Sequence, residues 1–372
     1  VCALRSETAD SLRNGKTYPI GEVVVTGTRH ETDVRHLPMT ISVVGRQKIV
    51  EGFQPSLLPT LTEQIPGLFV TGRGIMGYGV SGGAAGQMTL RGVGGGPTTG
   101  LLVLIDGHPQ YMGLMGHPIA DAYQSMLADR VEVVRGPASV LYGSYNRTDG
   151  HRRNMGFEQY GGYAKLGYRI AQAWDLYADV NLTHFNAQNP GAVSAPILDN
   201  KQHITRGMTS FALRNDYGKT SGALSFFYNW GRHKINDGHS PGEEPLNYRF
   251  NSRDRMLGVS WYQSVALFRG NRLTVGVDWQ HFGGKAWNVF TDGAPDKTTA
   301  DKTMDEAAGY VDFRQSLTHW LTLDAGLRLD HHSHAGTEWV PQGGLSFLLP
   351  HNAQIKAMVS KGFRFPTIRE MY

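Results

Sequence analysis

The chain has 372 residues, enough for two domains, and its 40% hydrophobic and 18% charged residues are both low for one water-soluble globular core. With 47 glycines and 10% aromatic residues, that balance suits a β-rich protein whose outer face meets lipid. A net charge of +4 with scattered Lys and Arg argues against nucleic acid as a partner, the single cysteine, Cys2, excludes an internal disulfide, and the lack of a long apolar run sets aside a helical membrane protein but not a membrane β-barrel.

Residues 1–20 are polar and aperiodic, a flexible leader. Its first residues, Val1-Cys2-Ala3, read as the end of an export signal or as a plain terminus with a free thiol. Residues 21–29 carry a β-branched run, Glu22, Val23, Val24, Val25 and Thr26. This is either the first strand of the next domain or a strand kept available for pairing with another protein, since unpaired backbone groups are a template for strand addition.

From Leu37 the sequence becomes compact. A strand is predicted at Ile41 to Val44 and a short helix at Gln54 to Glu63, which Pro66 ends before a strand reaching Thr71. Residues 72–100 are crowded with glycine. Gly72-Arg-Gly74-Ile-Met-Gly77 matches G-x-G-x-x-G, but the Tyr-Gly-Val-Ser-Gly-Gly that follows is no helix, so loops approaching a bulky ligand fit better than a dinucleotide site. Strands are expected at Met88 to Gly92 and at Leu101 to Gly107, the latter apolar on both faces and therefore central. The loop from His108 to Pro118 is rich in Met, His and Tyr, and exposing such soft side chains at a tip points to binding. A short helix near Ala120 to Met126 leads to Ala128–Ser144, where Val131, Val133 and Val134 make a strand broken by Arg135-Gly136-Pro137. That stretch separates two textures of sequence.

Beyond it, period-two alternation is sustained over about the ten residues that a tilted membrane strand needs. Trp174, Leu176, Ala178, Val180 and Leu182 share one face, while Asp175, Asp179, Asn181 and Thr183 share the other. The pattern returns at Leu273 to Gln280 and at Leu321 to Asp330. Short turns near 171–173, 218–221, 269–272, 318–320 and 351–353 alternate with longer polar loops near 186–203, 236–252 and 291–305, and a shorter one near 333–336. An up-and-down barrel with tight inner turns and long outer loops has this rhythm, and Trp230, Trp261, Tyr262, Trp279, Trp287, Trp320 and Trp339 then suit its interfaces.

Read together, these segments resemble a TonB-dependent outer-membrane receptor over nearly the whole chain. Glu22-Val-Val-Val-Thr-Gly27 resembles the TonB box. Leu61 to Val70, Met88 to Gly92, Val103 to Gly107 and Val131 to Gly143 resemble successive plug motifs in order. The resemblance implies an N-terminal α+β plug domain over 30–144 inside an antiparallel, up-and-down membrane β-barrel over 145–372, in the bacterial outer membrane. Roughly ten strands are countable, fewer than half of the family's barrel, so the barrel is expected to be incomplete and the intact receptor longer. Tyr145 to Asn154 looks like a loop entering a later strand, where the family continues into its first barrel strand.

The resemblance further implies active import of a scarce metal chelate, a ferric siderophore or haem, with cobalamin as the alternative. The partners are TonB, pairing with residues 22–27, outer-membrane lipid, the small-molecule ligand and, as a further candidate, a surface lipoprotein. Ligand contacts are expected at Arg73, Met76, Tyr78, His108, Gln110, Tyr111, Met112, Met115 and His117, and plug–barrel contacts at Arg91, Arg130, Glu132 and Arg135. Neither a resident cofactor nor a metal site is expected. Phe363-Arg-Phe-Pro366 resembles the Phe-Arg-Ala-Pro box of haem receptors, and His331, His332 and His334 read as a loop cluster, with iron or haem ligation as the other reading. Two other classes remain: a passive porin, which should lack a plug and the pairing strand, and an outer-membrane hydrolase, for which the sequence carries no G-x-S-x-G, H-E-x-x-H or P-loop.

Overall fold

A computed structural model describes residues 23–24, 32–33, 41–52, 54, 56–71, 87–90, 93–94, 101, 103–105, 108–114, 116–125, 128, 130–134, 145–148, 152–350, 353–361 and 365–371. The N-terminal domain is built from short elements. Strands β1 (Val23–Val24) and β2 (Thr32–Asp33) pair antiparallel, as do β3 (Ile41–Gly45) and β9 (Arg130–Val134). Between the latter come β4 (Leu68–Val70), β5 (Met88–Leu90) and β6 (Val93–Gly94) in one three-stranded sheet, and β7 (Leu104–Ile105) with β8 (His108–Pro109) in a hairpin.

The helix Leu57–Gln64 starts at Ser56, whose Oγ accepts from the Leu58 N–H at 3.2 Å, and it holds Pro59 in its first turn, where no intrahelical donor is lost. Its buried face, Leu57, Leu58 and Leu61, packs with Val44, Ile49, Ile65, Leu68, Met88, Leu90 and Val131 into one core. The preceding helix, Arg46–Glu51, is tied to the seam, because Arg46 Nη1 donates to the Ala128 carbonyl at 2.8 Å. Leu101 to Gly107 does not form the expected central strand among the described residues. Leu104–Ile105 pairs with His108–Pro109 and the Val103 carbonyl accepts from the Gln110 N–H at 2.9 Å, while Leu101 and Val103 pack against the core. Within the helix expected near Ala120 to Met126, the described residues form a 3₁₀ turn at Ala120–Ala122, and Met126 lies outside them.

The second half is one antiparallel sheet of 11 strands, each beside its neighbour in sequence. They are β10 (Tyr145–Thr148), β11 (Phe157–Ala171), β12 (Trp174–Ala187), β15 (Lys201–Asp216), β16 (Thr220–Asn236), β17 (Tyr248–Val265), β18 (Asn271–Phe290), β19 (Lys297–Ser316), β20 (Leu321–His332), β21 (Gly336–Leu348) and β22 (Gln354–Ser360). The strands β13 (Gly191–Ala192) and β14 (Ala195–Pro196) form a small hairpin within the loop after β12. Two expectations need correction. Tyr145 to Thr148 is a strand, not a loop, because it pairs with Phe157 to Tyr160 at the start of β11. The loop expected to run to Asp305 ends at Asp296, since β18 and β19 continue as a ribbon whose residues from Lys297 to Thr303 are mostly exposed.

Burial in this sheet is inverted relative to a soluble protein. On β12, Asp179, Asn181 and Thr183 are buried while Val180 is 40% and Leu182 49% exposed. Leu224, Phe226, Val259, Trp261, Val277 and Trp279 extend the exposed apolar face over β16 to β18. The buried face instead carries ion pairs such as Arg314 with Asp324 at 2.8 Å and, less deeply set, Arg328 with Asp278 at 2.7 Å. Apolar outside and polar inside is the arrangement of a strand wall between lipid and a polar lumen.

The wall must also be curved. Leu114 and Met112, both on one short segment of the N-terminal domain, share packed clusters with side chains from β11 through β19. Seven flat strands at about 4.8 Å spacing would span nearly 30 Å, beyond the reach of so short a segment. The fold is therefore an incomplete membrane β-barrel wall wrapped on a plug. Replacing Val259 by Arg puts a charge on the lipid face and should lower the unfolding free energy in lipid vesicles by about 2–4 kcal/mol. Urea titration followed by tryptophan fluorescence checks this, and an unchanged midpoint would show that Val259 does not face lipid.

Candidate functional site

The contact between plug and wall is built on residues 108–118. After β8 the chain reverses. Tyr111 and Pro118 form an isolated bridge, the Met112 N–H donates to the His117 carbonyl at 2.9 Å, and the Gly116 N–H donates to the Met112 carbonyl at 2.7 Å. Gly116 sits at φ 66°, a left-handed conformation that glycine adopts without a side-chain clash. The tip, Met112-Gly113-Leu114, enters the barrel wall.

Opposite the tip stands a buried charge cluster. Arg206 on β15 donates from Nη1 and Nη2 to the two oxygens of Asp254 on β17, both at 3.0 Å. His233 on β16 lies beside them, with Nδ1 3.1 Å from Ser252 Oγ and Nε2 3.7 Å from Asp254 Oδ1. The Gly113 N–H donates to Asp254 Oδ2 at 3.2 Å, so the plug binds a wall carboxylate through its main chain. This position requires glycine, because a Cβ there would lie 2.6 Å from the Arg255 carbonyl oxygen.

Further contacts flank the tip. Asn229 Nδ2 donates to the Pro109 carbonyl at 2.6 Å, Gln110 Nε2 is directed at Met208 Sδ, and the His108 and Phe227 rings lie 5.1 Å apart. Tyr123 Oη donates to the Gln110 carbonyl at 3.1 Å and so supports the hairpin from within the plug. Burial raises the Tyr123 phenol's pKa, with Arg206 opposing the shift, so the phenol keeps the proton it donates.

Of the residues expected to meet ligand, the structure brings His108, Gln110, Tyr111, Met112 and His117 into this one hairpin. Arg73, Met76, Tyr78 and Met115 lie outside the described residues. The exposed loop tip expected from composition is not found: Met112 is 2% exposed, and His108 and His117 are each 6% exposed. Met112 fills the wall among Phe157, Phe185, Ile204 and Ile235, and Leu114 does the same among Phe227, Met256, Phe282 and Met304. Soft side chains at a tip fit an irregular wall as well as they fit a ligand.

Of the expected plug–barrel contacts, Arg91 and Arg135 lie outside the described residues. Arg130 and Glu132 form an ion pair with each other at 2.6 Å on β9. Sequence reasoning missed Arg206, His233 and Asp254. The inward parity of each residue on its own strand was the available signal.

Of the histidines near the end of β20, His332 and His334 have ring centroids 6.2 Å apart, while His331 lies on the other face of the strand. His331 points outward to Thr337 Oγ1 at 2.8 Å, and His334 lies on Ser333 Oγ at 2.9 Å. His332 points inward, and its Nδ1 accepts from the backbone N–H groups of His334 and Ala335, each at 3.0 Å. Those two donors fix the tautomer with the proton on Nε2, so neither ring nitrogen of His332 offers a free lone pair to a metal. The Phe365 ring lies against it, tilted by 42°, with ring centroids 4.9 Å apart. Among the described residues no set of three or more metal-ligating side chains is assembled.

Asp254→Ala should cost about 3–5 kcal/mol, because it leaves the Arg206 guanidinium buried without its counter-charge. Gly113→Ala should free the hairpin at smaller cost to the barrel. Thermal unfolding and limited proteolysis between Pro109 and Pro118 separate the two effects. A Gly113→Ala protein as protease-resistant as the wild type would show that the hairpin is not anchored at this point.

Comparison with known proteins agrees with this geometry. Residues 33–146 match the family model of the TonB-dependent receptor plug domain, and residues 136–372 match that of the TonB-dependent receptor-like β-barrel. An iron-regulated outer membrane virulence protein of Vibrio cholerae is 24% identical over 94% of the chain and 60% of its own length. A hemin receptor of Yersinia enterocolitica is 36% identical over 37% of the chain and 18% of its own length. Among solved structures, the siderophore receptor PirA of Acinetobacter baumannii superposes with a TM-score of 0.67 at 15% identity, covering 88% of this chain and 61% of that one. The ferric enterobactin receptor of Pseudomonas aeruginosa gives 0.65 at 16% identity, covering 90% and 64%. The chain thus spans about three fifths of the length of the V. cholerae relative. With a plug seated by hydrogen bonds on an inverted strand wall, it belongs to the TonB-dependent receptors of the outer membrane, a family of transport receptors and not of enzymes.

Proposed function

We propose that the protein imports an iron chelate, a ferric siderophore or haem, across the outer membrane in a step driven through TonB. The observation that carries this reading is the plug hairpin seated in the barrel wall, with Met112 and Leu114 in two apolar sockets and the Gly113 N–H hydrogen-bonded to Asp254 between them. A passive porin has no such domain. The relatives named for iron regulation and for hemin supply the cargo class.

In this reading the long outer loops and the glycine-rich plug segment around Arg73, Met76 and Tyr78 meet the cargo first. His108, Gln110, Tyr111, Met112, Met115 and His117 come within its reach once the hairpin leaves the wall. Residues 22–26 couple to TonB by strand addition. Val23 pairs with Asp33 and Val24 with Thr32, a ladder of two residue pairs that a partner strand replaces at little cost. Binding of cargo shifts the population toward the released segment only to the extent that cargo prefers that state.

Substituting Val24 by Pro in the chromosomal gene removes one backbone donor from the pairing strand. Uptake of radiolabelled iron chelate should fall to the level of a strain lacking the gene, while binding of the same chelate to whole cells persists. Equal uptake by the two strains would refute coupling through this segment.

A further inference from the structure

One lumen-facing row crosses three strands at the outer end of the wall. Gln280 on β18 lies directly opposite Glu306 on β19, and Glu306 lies directly opposite His332 on β20. The Glu306 carboxylate therefore stands between two donors, the Gln280 amide and the His332 Nε2–H. It leans to the first: Gln280 Nε2 donates to Glu306 Oε2, while Glu306 Oε1 stays 3.9 Å from His332 Nε2, beyond hydrogen-bond reach.

The second donor is enclosed. His332 has no exposed surface, its Nδ1 is committed to the backbone N–H groups of His334 and Ala335, and its Nε2–H has no hydrogen-bond partner. A buried donor left without an acceptor is destabilising, so something must hold the carboxylate away from it. The plug hairpin does so. Tyr111 packs on the cluster that contains Phe282 and Met304, the next inward residues beyond Gln280 and Glu306 on their strands, and its hydroxyl faces the Gln280 amide and the Glu306 carboxylate. With one amide N–H turned to Tyr111 and the other to Glu306, Gln280 is fixed in the orientation that draws the carboxylate its way.

We propose that Glu306 is a positioning residue with two settings, bonded to Gln280 while the hairpin is seated and to His332 once the hairpin has left. Withdrawal takes Tyr111 away and admits water to the Gln280 amide, which then has other acceptors. The enclosed His332 Nε2–H has only Glu306. A carboxylate bound at Nε2–H makes Nδ1 the stronger acceptor, so its two bonds to the turn between β20 and β21 tighten. The state of the plug is thereby expressed in the firmness of an outer turn. This rests on the reading above that the hairpin withdraws during import, and it assigns Glu306 a part in that step.

The test compares the full-length receptor in detergent with a release variant, Met112→Ser/Leu114→Ser, which takes the apolar side chains out of both sockets; Gly113→Ala is the second route to release. Heat-modifiable gel mobility reports the folded barrel, and proteolysis between Pro109 and Pro118 reports the free hairpin. Two readouts follow Glu306: the His332 Nε2–H proton resonance, assigned by its loss in His332→Gln, and amide hydrogen exchange at His334 and Ala335. On release the resonance should move downfield and the exchange should slow roughly fivefold, and adding Glu306→Ala should abolish both changes. A contact that only packs predicts the opposite sign, faster exchange when its support is removed. An unmoved resonance, faster exchange, or the same response without Glu306, as water at Nε2–H would give, would each overturn the assignment. A hairpin that stays protease-resistant in both release variants would overturn withdrawal itself, and this inference with it.

Discussion

The constraint on which the rest depends is that lipid cannot hydrogen-bond to a peptide group. Every N–H and C=O between the short turns and the outer loops must find its partner on a neighbouring strand. The continuous ladders from β11 to β21 meet that demand for the strands inside the sheet. Once the backbone is satisfied laterally, side chains divide between two solvents, and alternation places Val180 and Leu182 in one and Asp179 and Asn181 in the other. The polar lumen is thus a consequence of the apolar exterior, and it supplies the groups on which the plug rests.

The plug uses that lumen economically. Where the Met112 and Leu114 side chains enter, the wall turns apolar, with Phe185, Ile204 and Met256 fully buried. Between those two sockets the contact is polar and passes through the Gly113 main chain to Asp254. Arg206 holds the carboxylate from the other side, so the plug's hydrogen bond is made to a group already neutralised within the wall. Withdrawing the hairpin therefore does not strand a naked charge. It breaks the Gly113 hydrogen bond and the flanking contacts of Pro109, Gln110 and His108 and empties two apolar sockets, while the Arg206–Asp254 pair is made within the wall itself.

Much of the wall was legible in the sequence, because lipid enforces period two without exception between the turns. The limits of that rule appear where lipid ends. From Lys297 to Thr303 both faces are polar, so the pattern reads as a loop although β19 continues by pairing with β18. The plug core was legible from Leu57, Leu58 and Leu61 at helical spacing, and the seam strand from its three valines. The hairpin at residues 108–118 was not, for its burial depends on Phe157, Phe185 and Met256, far along the chain. A Met- and His-rich tip has the same composition whether it waits for cargo or fills a wall. Arg206 and Asp254 are 48 positions apart and meet only through the register of β16 between them.

One feature of the lumen gives the position of the plug a readout elsewhere in the chain. Ile368, on the short helix Ile368–Met371, shares its packed cluster with Leu114, and Thr367 fills the space against Gly116 so closely that a Cβ on that glycine would lie 2.6 Å from it. The adjoining Phe365 covers His332 at the outer end of β20. The hairpin and residues 367–368 therefore share one packed surface, so the position of either constrains the other.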